Sequence, residues 1–117
     1  MVRGTTATEI LTVKDIEAIT QATDVWATFE QGSTEITRKW KRYPESEDDN
    51  DGIAVDSNIV TVKLSQEDTL SFVKGTVKVQ IKMLKNDDDD STKYDEVGAT
   101  EIKKLKVEDI LNEDVMP

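Results

Sequence analysis

The sequence predicts an all-β domain, an immunoglobulin-like antiparallel β-sandwich of about six to seven strands. Apolar residues alternate with polar residues in several short segments, which is the period of a strand with one buried face. Polar or glycine-containing turns separate these segments, and helical patterns are few and short. Short strands joined by polar turns are typical of two packed sheets. A small barrel remains the alternative arrangement.

The individual strands follow from where this alternation begins and ends. In the clearest case, residues 76–84, Val77 and Val79 point to one face while Lys78 points to the other. Gly32 lies between two alternating segments, so a hairpin is predicted there. In the final segment the apolar spacing slips phase once, which predicts a β-bulge. The predicted strands are residues 8–13, 23–30, 33–41, 58–64, 76–84 and 98–107.

Helical content is predicted to be small. Ser65 lies three residues before Asp68, which is the spacing of a capping box, so a single helical turn reaching Leu70 is predicted. Residues 14–22 fit either two helical turns or a loop. The acidic C-terminal residues 108–117 are too few to form a stable helix alone. They are predicted to form a tail that either frays or docks on a neighbour.

Length and composition indicate one domain and exclude several functional classes. A chain of 117 residues fits a single domain spanning residues 1–117. It contains no cysteine and no histidine, so disulfides, thiolate zinc sites and the commonest general base are excluded. We expect no enzymatic activity, no catalytic residues and no cofactor. The start lacks a signal-peptide core and no apolar stretch suits a membrane span, so cytoplasmic synthesis and no membrane partner are expected.

The charge is distributed unevenly along the chain. The formal net charge is −10, and residues 45–51 and 87–96 contribute −5 each, so the remaining residues sum to zero. Acidic loops are therefore predicted near residues 45–56 and 86–97, on an otherwise neutral domain. Nucleic-acid phosphates require a positive field, so no nucleic-acid partner is expected.

The acidic segments also contain weak candidate metal ligands. Residues 47–52 superficially resemble a calcium loop ending in a glycine, but an EF-hand loop requires Asp first and Glu twelfth. Glu47 and Asn58 occupy those positions, so an EF-hand is rejected. Successive acids in an extended chain point apart, so residues 87–90 are predicted to form a solvated turn. No metal site is predicted, and the weak candidates are Asp49, Asp51, Asp88 and Asp90.

Trp26 is the most informative single residue. The alternation in residues 23–30 places it opposite the face of Val25, Ala27 and Phe29. Trp26 therefore either belongs to a second packed layer, for example buried under a loop at a sheet edge, or serves as an exposed binding anchor, a role in which tryptophan is enriched. The candidate residues for protein interaction are Trp26, Lys78 and Lys82.

Four segments outside the acidic runs carry a family resemblance. They are RGTTATEILTV near the start, NIVTVKLSQEDTLSF followed by Gly75, the strand TVKVQIKML, and the ending ATEIKKLKVEDILNEDV. Together they resemble small proteins encoded in the tail and baseplate regions of Firmicute phages and prophages. The order of strand, LxQEDT turn, glycine and alternating strand is also similar to the immunoglobulin-like N-terminal domain of phage baseplate upper proteins. The resemblance implies a virion structural protein without catalytic residues.

These observations lead to one expected function and two alternatives. We expect a non-enzymatic phage structural or interaction protein, a tail or baseplate component of the virion that is made in the bacterial host cytoplasm. Its expected partners are other phage structural proteins or a second copy of the chain. The alternatives are a calcium-stabilised adhesion or carbohydrate-binding module and an acidic inhibitor that mimics DNA.

Overall fold

The computed structural model describes residues 1–44, 50–86 and 94–108, which contain eight strands and two short helices. The all-β class predicted from the sequence is confirmed, because antiparallel sheets pack together. There are more strands than predicted, because the last predicted strand divides in two and a short strand was missed. The elements are β1 (Ala7–Thr12), α1 (Ile16–Gln21), β2 (Asp24–Gln31), β3 (Thr34–Lys41), β4 (Ile53–Asp56), β5 (Ile59–Leu64), α2 (Gln66–Leu70), β6 (Gly75–Asn86), β7 (Tyr94–Ala99) and β8 (Lys103–Val107).

The strands form two antiparallel sheets. The smaller sheet has the order β1-β5-β4, and the larger has the order β3-β2-β6-β7, with β8 also pairing with β6. Because β7 and β8 pair with opposite halves of β6, they form one interrupted edge. If β1 is taken as strand B of an immunoglobulin sandwich, the two orders correspond to B-E-D and C′-C-F-G.

The core lies between the sheets and is built from alternate residues of each strand. Phe29 of β2 lies opposite Val79 of β6, and both side chains are buried. Val60 and Val62 of β5 are fully buried against them from the smaller sheet. Burying a side chain of this kind stabilises the fold by about 1.5–3 kcal/mol. The apolar residues that alternate in residues 58–64 and 76–84 are therefore the residues that form the core.

The hairpin predicted at Gly32 is present and fixes the register of the larger sheet. Gln31 pairs with Thr34, which leaves Gly32 and Ser33 as a two-residue turn. Gly32 has a φ of +57°, a conformation that glycine adopts without steric cost and that suits a tight hairpin turn.

The predicted phase slip in the last strand is also confirmed. Ala99 pairs with Lys82 and Lys103 pairs with Val79, so three residues on the edge lie opposite two on β6. Thr100 compensates for the lost regularity: its Oγ1 accepts a hydrogen bond from the backbone N–H of Ile81 at 3.0 Å. The extra residue is accommodated as a β-bulge without leaving that N–H unpaired.

Both helices begin at capping residues. The predicted capping box is present at α2, where Ser65 Oγ accepts from Asp68 N at 3.1 Å and Asp68 Oδ2 accepts from Ser65 N at 2.8 Å. Within residues 14–22, Ile16–Gln21 form a helix, and Asp15 Oδ1 caps it by accepting a hydrogen bond from Ala18 N at 3.0 Å.

The two acidic loops are shorter than predicted. Ile53–Asp56 is strand β4, in which Ile53 is buried, and Tyr94–Ala99 is strand β7. The prediction was wrong there because it assigned acidic residues to loops, whereas Asp56 and Glu96 occupy exposed positions on strands. Residues 45–49, 87–93 and 109–117 lie outside the described part of the chain, so the predicted tail falls almost entirely there.

Candidate protein-interaction surface

The solvent-facing side of the larger sheet brings all three predicted interaction residues together. Trp26 on β2 lies directly opposite Lys82 on β6, and Lys78 is two side chains further along the same face. We call this surface the Trp26 face. Its groove is lined by Trp26, Thr28, Glu30, Glu35, Thr37, Lys39, Lys78, Gln80, Lys82 and Ile102, together with Val79.

Trp26 stands between two lysines in the centre of the sheet. It pairs with Lys39 on one side and with Lys82 on the other, so it lies on an interior strand. This position excludes burial at a sheet edge. The Nζ of Lys39 lies 4.5 Å from the centroid of the indole ring, which is a cation–π contact. Trp26 itself is half-buried. Lys39, Trp26 and Lys82 thus form one row across three strands, a ridge with an aromatic centre and cationic ends.

An uncharged row lies next to this ridge. Thr28 pairs with Thr37 and with Gln80, and the two threonine hydroxyls are 3.2 Å apart. Gln80 is held in place because its Nε2 donates to the carbonyl of Thr100 at 3.0 Å. These side chains are shorter than the neighbouring indole and lysines, so their hydroxyl and amide groups form the floor of the groove.

The third row carries both signs of charge. Glu30 pairs with Glu35 on β3 and with Lys78 on β6, and Lys78 in turn pairs with Lys104 on β8. The two glutamates therefore lie at the β3 end of the row, and the two lysines lie at the other end.

These rows enclose a shallow groove of about 540 Å³ that crosses the strands. Its walls are the Trp26 row and the Glu30 row, which lie four residues apart along each strand, or roughly 13 Å. Its floor is the row of Thr28. Ile102, from the bulge between β7 and β8, lies at one end with 57% of its surface exposed. The groove therefore combines an aromatic ring, three lysines, two glutamates, hydroxyl and amide groups and one exposed isoleucine.

The Trp26 face is locally cationic, although the chain has a net charge of −10. Six lysines and four acidic residues occupy outward positions of the larger sheet, as the strand register shows. The lysines are Lys39, Lys41, Lys78, Lys82, Lys104 and Lys106, and the acids are Asp24, Glu30, Glu35 and Glu96.

The outer face of the smaller sheet is different in character. Its outward residues on β1, β4 and β5 include no aromatic side chain and only two charges, Lys63 and Asp56. Ile10 and Ile59 are exposed on this face, at 63% and 42% respectively. It lacks the aromatic ring and the lysine cluster of the Trp26 face, and it supplies matched control positions such as Lys63.

Three edge strands each direct one charged residue toward the core side. Glu9 on β1 lies opposite Val62, and Lys103 on β8 lies opposite Val79. Arg38 on β3 lies opposite buried Ala27 and forms an ion pair with Asp68. Inward-pointing charges hinder the pairing of an edge with a foreign strand, because pairing would bury them. The edges at β1, β3 and β8 are therefore less suited than the outer faces of the sandwich to receive a partner.

Only one of the four weak metal candidates lies in the described part of the chain. Asp51 is exposed in the turn before β4, and Asp49, Asp88 and Asp90 lie outside the described residues. Within residues 1–44, 50–86 and 94–108, no group of three or more His, Cys, Asp or Glu residues is placed to hold a metal ion. The same residues include no helix long and apolar enough to cross a membrane.

The sequence did not identify Lys39, Ile102 or the residues of the groove floor, which are Thr28, Thr37 and Gln80. Lys39 could have been found from the hairpin alone. A two-residue turn at Gly32 pairs Gln31 with Thr34, and counting back five residues along each strand pairs Trp26 with Lys39. The position of Ile102 could not be predicted, because the phase slip indicates that a bulge is present but not which residues form it.

Comparison with known proteins adds no family assignment. No protein-family model matches the chain, and no curated protein shows significant sequence similarity to it. The candidate surface is therefore defined by the chain's own geometry.

Proposed function

We propose that the chain is a non-enzymatic protein-binding module of a phage tail or baseplate, and that the Trp26 face binds its partner. The observation that carries the proposal is the position of Trp26. It lies on the outward side of β2, an interior strand of the larger sheet, where no core requires a large apolar ring. Tryptophan residues on protein surfaces are enriched at the centres of interfaces, where they supply much of the binding free energy.

The neighbours of Trp26 fit the same role. Lys39 covers the ring with a hydrated cation, which keeps the exposed face soluble before a partner binds. The hydroxyls of Thr28 and Thr37 and the amide of Gln80 supply hydrogen-bonding groups around the aromatic anchor. An aromatic centre with a polar surround is the usual anatomy of a non-obligate interface.

The phage assignment is supported by the four resembling segments. They coincide largely with β1, β5, α2, β6 and β8, which are elements of the sandwich framework. The proposed partners are neighbouring tail or baseplate proteins or a second copy of the chain, and the proposed location is the virion.

The experiment compares the wild-type chain with Trp26→Ala and with Lys63→Ala on the opposite face. Particles are purified after phage or prophage induction, and mass spectrometry quantifies each chain in the tail fraction, with circular dichroism as the check on folding. We expect wild type and Lys63→Ala to co-purify with tails and Trp26→Ala to be depleted by about tenfold, the effect of losing about 1.4 kcal/mol. Absence of the wild-type chain from particles would overturn the phage assignment. Undiminished incorporation of folded Trp26→Ala would overturn the surface.

A further inference from the structure

The distribution of lysines on the Trp26 face indicates the chemistry of its occupant. We infer that the groove binds an extended acidic segment of a partner protein, with carboxylates along the row of Lys39, Trp26 and Lys82. This inference rests on the proposed function and deepens it by naming the partner's chemistry.

The first step concerns the lysines beside Trp26. Neighbouring side chains on paired strands have Cβ atoms about 5 Å apart, so Lys39 and Lys82 flank the indole within reach of one incoming segment. In the described part of the chain, no carboxylate lies within 4.0 Å of the amines of Lys39, Lys78 or Lys82. These amines are therefore available to carboxylates from outside that part of the chain.

The second step concerns the path of the segment across the sheet. Glu30 and Glu35 repel an acidic segment from one end of the groove, whereas Lys78 and Lys104 attract it at the other. Exposed Ile102 lies at the groove and offers a contact for one apolar side chain. The charges thus favour a segment that follows the Trp26 row and turns toward β6 and β8.

The third step concerns the net charge of −10, which opposes an acidic ligand at long range. Screening limits this repulsion: the Debye length is about 30 Å at 0.01 M salt, about 10 Å at 0.1 M and about 3 Å at 1 M. At low salt the whole chain repels the ligand, and at high salt the lysines no longer attract it. The affinity for an acidic segment is therefore expected to be greatest near physiological ionic strength.

The probe is a synthetic Glu-rich peptide containing one Leu. A length of about ten residues is enough, because the groove crosses roughly 14 Å of sheet and an extended chain covers about 3.3 Å per residue. The chain contains two tryptophans, so the variant Trp40→Phe makes Trp26 the sole indole reporter. Trp26 fluorescence is titrated with this peptide, with a matched Gln-rich peptide and with a single-stranded oligonucleotide.

We expect only the acidic peptide to bind, and we expect its affinity to be higher at about 0.1 M salt than at about 0.01 M or about 1 M. Lys82→Glu should weaken binding by about tenfold, whereas Lys63→Glu, which changes the net charge equally on the opposite face, should weaken it by less than about threefold. Failure of the acidic peptide to bind, equal losses in the two variants, or oligonucleotide binding as tight as peptide binding would each overturn the inference. The particle experiment with Trp26→Ala is read independently, so failure of the inference is distinguishable from failure of the proposed function.

Discussion

At the scale of single residues, Thr100 shows how a side chain sustains an irregular strand. The bulge between β7 and β8 removes the regular backbone partner of the Ile81 N–H, and the hydroxyl of Thr100 replaces it at 3.0 Å. Ile81 is 2% exposed, so water has little access to replace that hydroxyl. The bulge in turn positions Ile102 at the groove of the Trp26 face.

Replacing Thr100 with valine should therefore destabilise the fold. Valine keeps the volume and the strand preference of threonine but removes the acceptor, so a buried N–H loses its hydrogen bond at an expected cost of about 1–3 kcal/mol. Urea unfolding measures the change in free energy. Thr8→Val, at an exposed position of β1, is the control and should change stability by less than about 0.5 kcal/mol. Equal stability of the two variants would show that the Thr100 hydroxyl is dispensable.

At the scale of elements, α1 packs closely against β7 because Gly98 has no side chain. A Cβ added there would lie 2.6 Å from the Cβ of Ala18 and 3.0 Å from the Cε of Met83. Ala18 is buried and cannot move without moving the helix. The contact is therefore a steric requirement on both residues.

Gly98→Ala should cost about 1–3 kcal/mol of stability through overpacking. Ala18→Gly alone should cost about 1 kcal/mol, because glycine is a poor helix former. If the two residues meet as described, the double variant should lose at least about 0.5 kcal/mol less than the sum of the single losses. Chemical unfolding of the three variants gives the coupling, and strictly additive losses would contradict the contact.

The edge strands lead to a prediction about association. Lys103 points to the core side of β8, opposite Val79, and lies beside the gap between the two sheets. Lys103→Val should remove this protection and allow β8 to pair with another chain. We expect concentration-dependent association in light scattering for Lys103→Val and none for Lys63→Val, which exposes a valine on an interior strand. A monomeric Lys103→Val would mean that the edge is protected by other means.

The sequence predicted most elements because each has a local physical signal. Alternation identified the strands that face the core, the Ser65 and Asp68 spacing identified α2, and the phase slip identified the bulge. β4 was missed because its four residues lie within an acid-rich stretch and depend on pairing with β5, which no local pattern reveals. For the same reason Trp26, Lys78 and Lys82 were identified singly, whereas their assembly with Lys39 required the register of three strands.

At the scale of the whole molecule, the two outer faces of the sandwich have different surfaces. The larger sheet presents a tryptophan among lysines and hydroxyls, and the smaller sheet presents isoleucines, threonines, one alanine and two charges. Charged residues on the core side of β1, β3 and β8 hinder strand pairing at those three edges. We therefore propose that the partner binds to the larger sheet, and Lys82 and Lys63 are matched residues on the two faces.

The most direct measurement places a photoreactive amino acid at position 82 or at position 63 and irradiates assembled particles. If the proposed function is right, position 82 should form a covalent adduct with a neighbouring tail or baseplate protein, or with a second copy of the chain, and position 63 should give little product. An equal or greater yield from position 63, or no adduct from position 82 in particles that contain the chain, would contradict the assignment of binding to the Trp26 face.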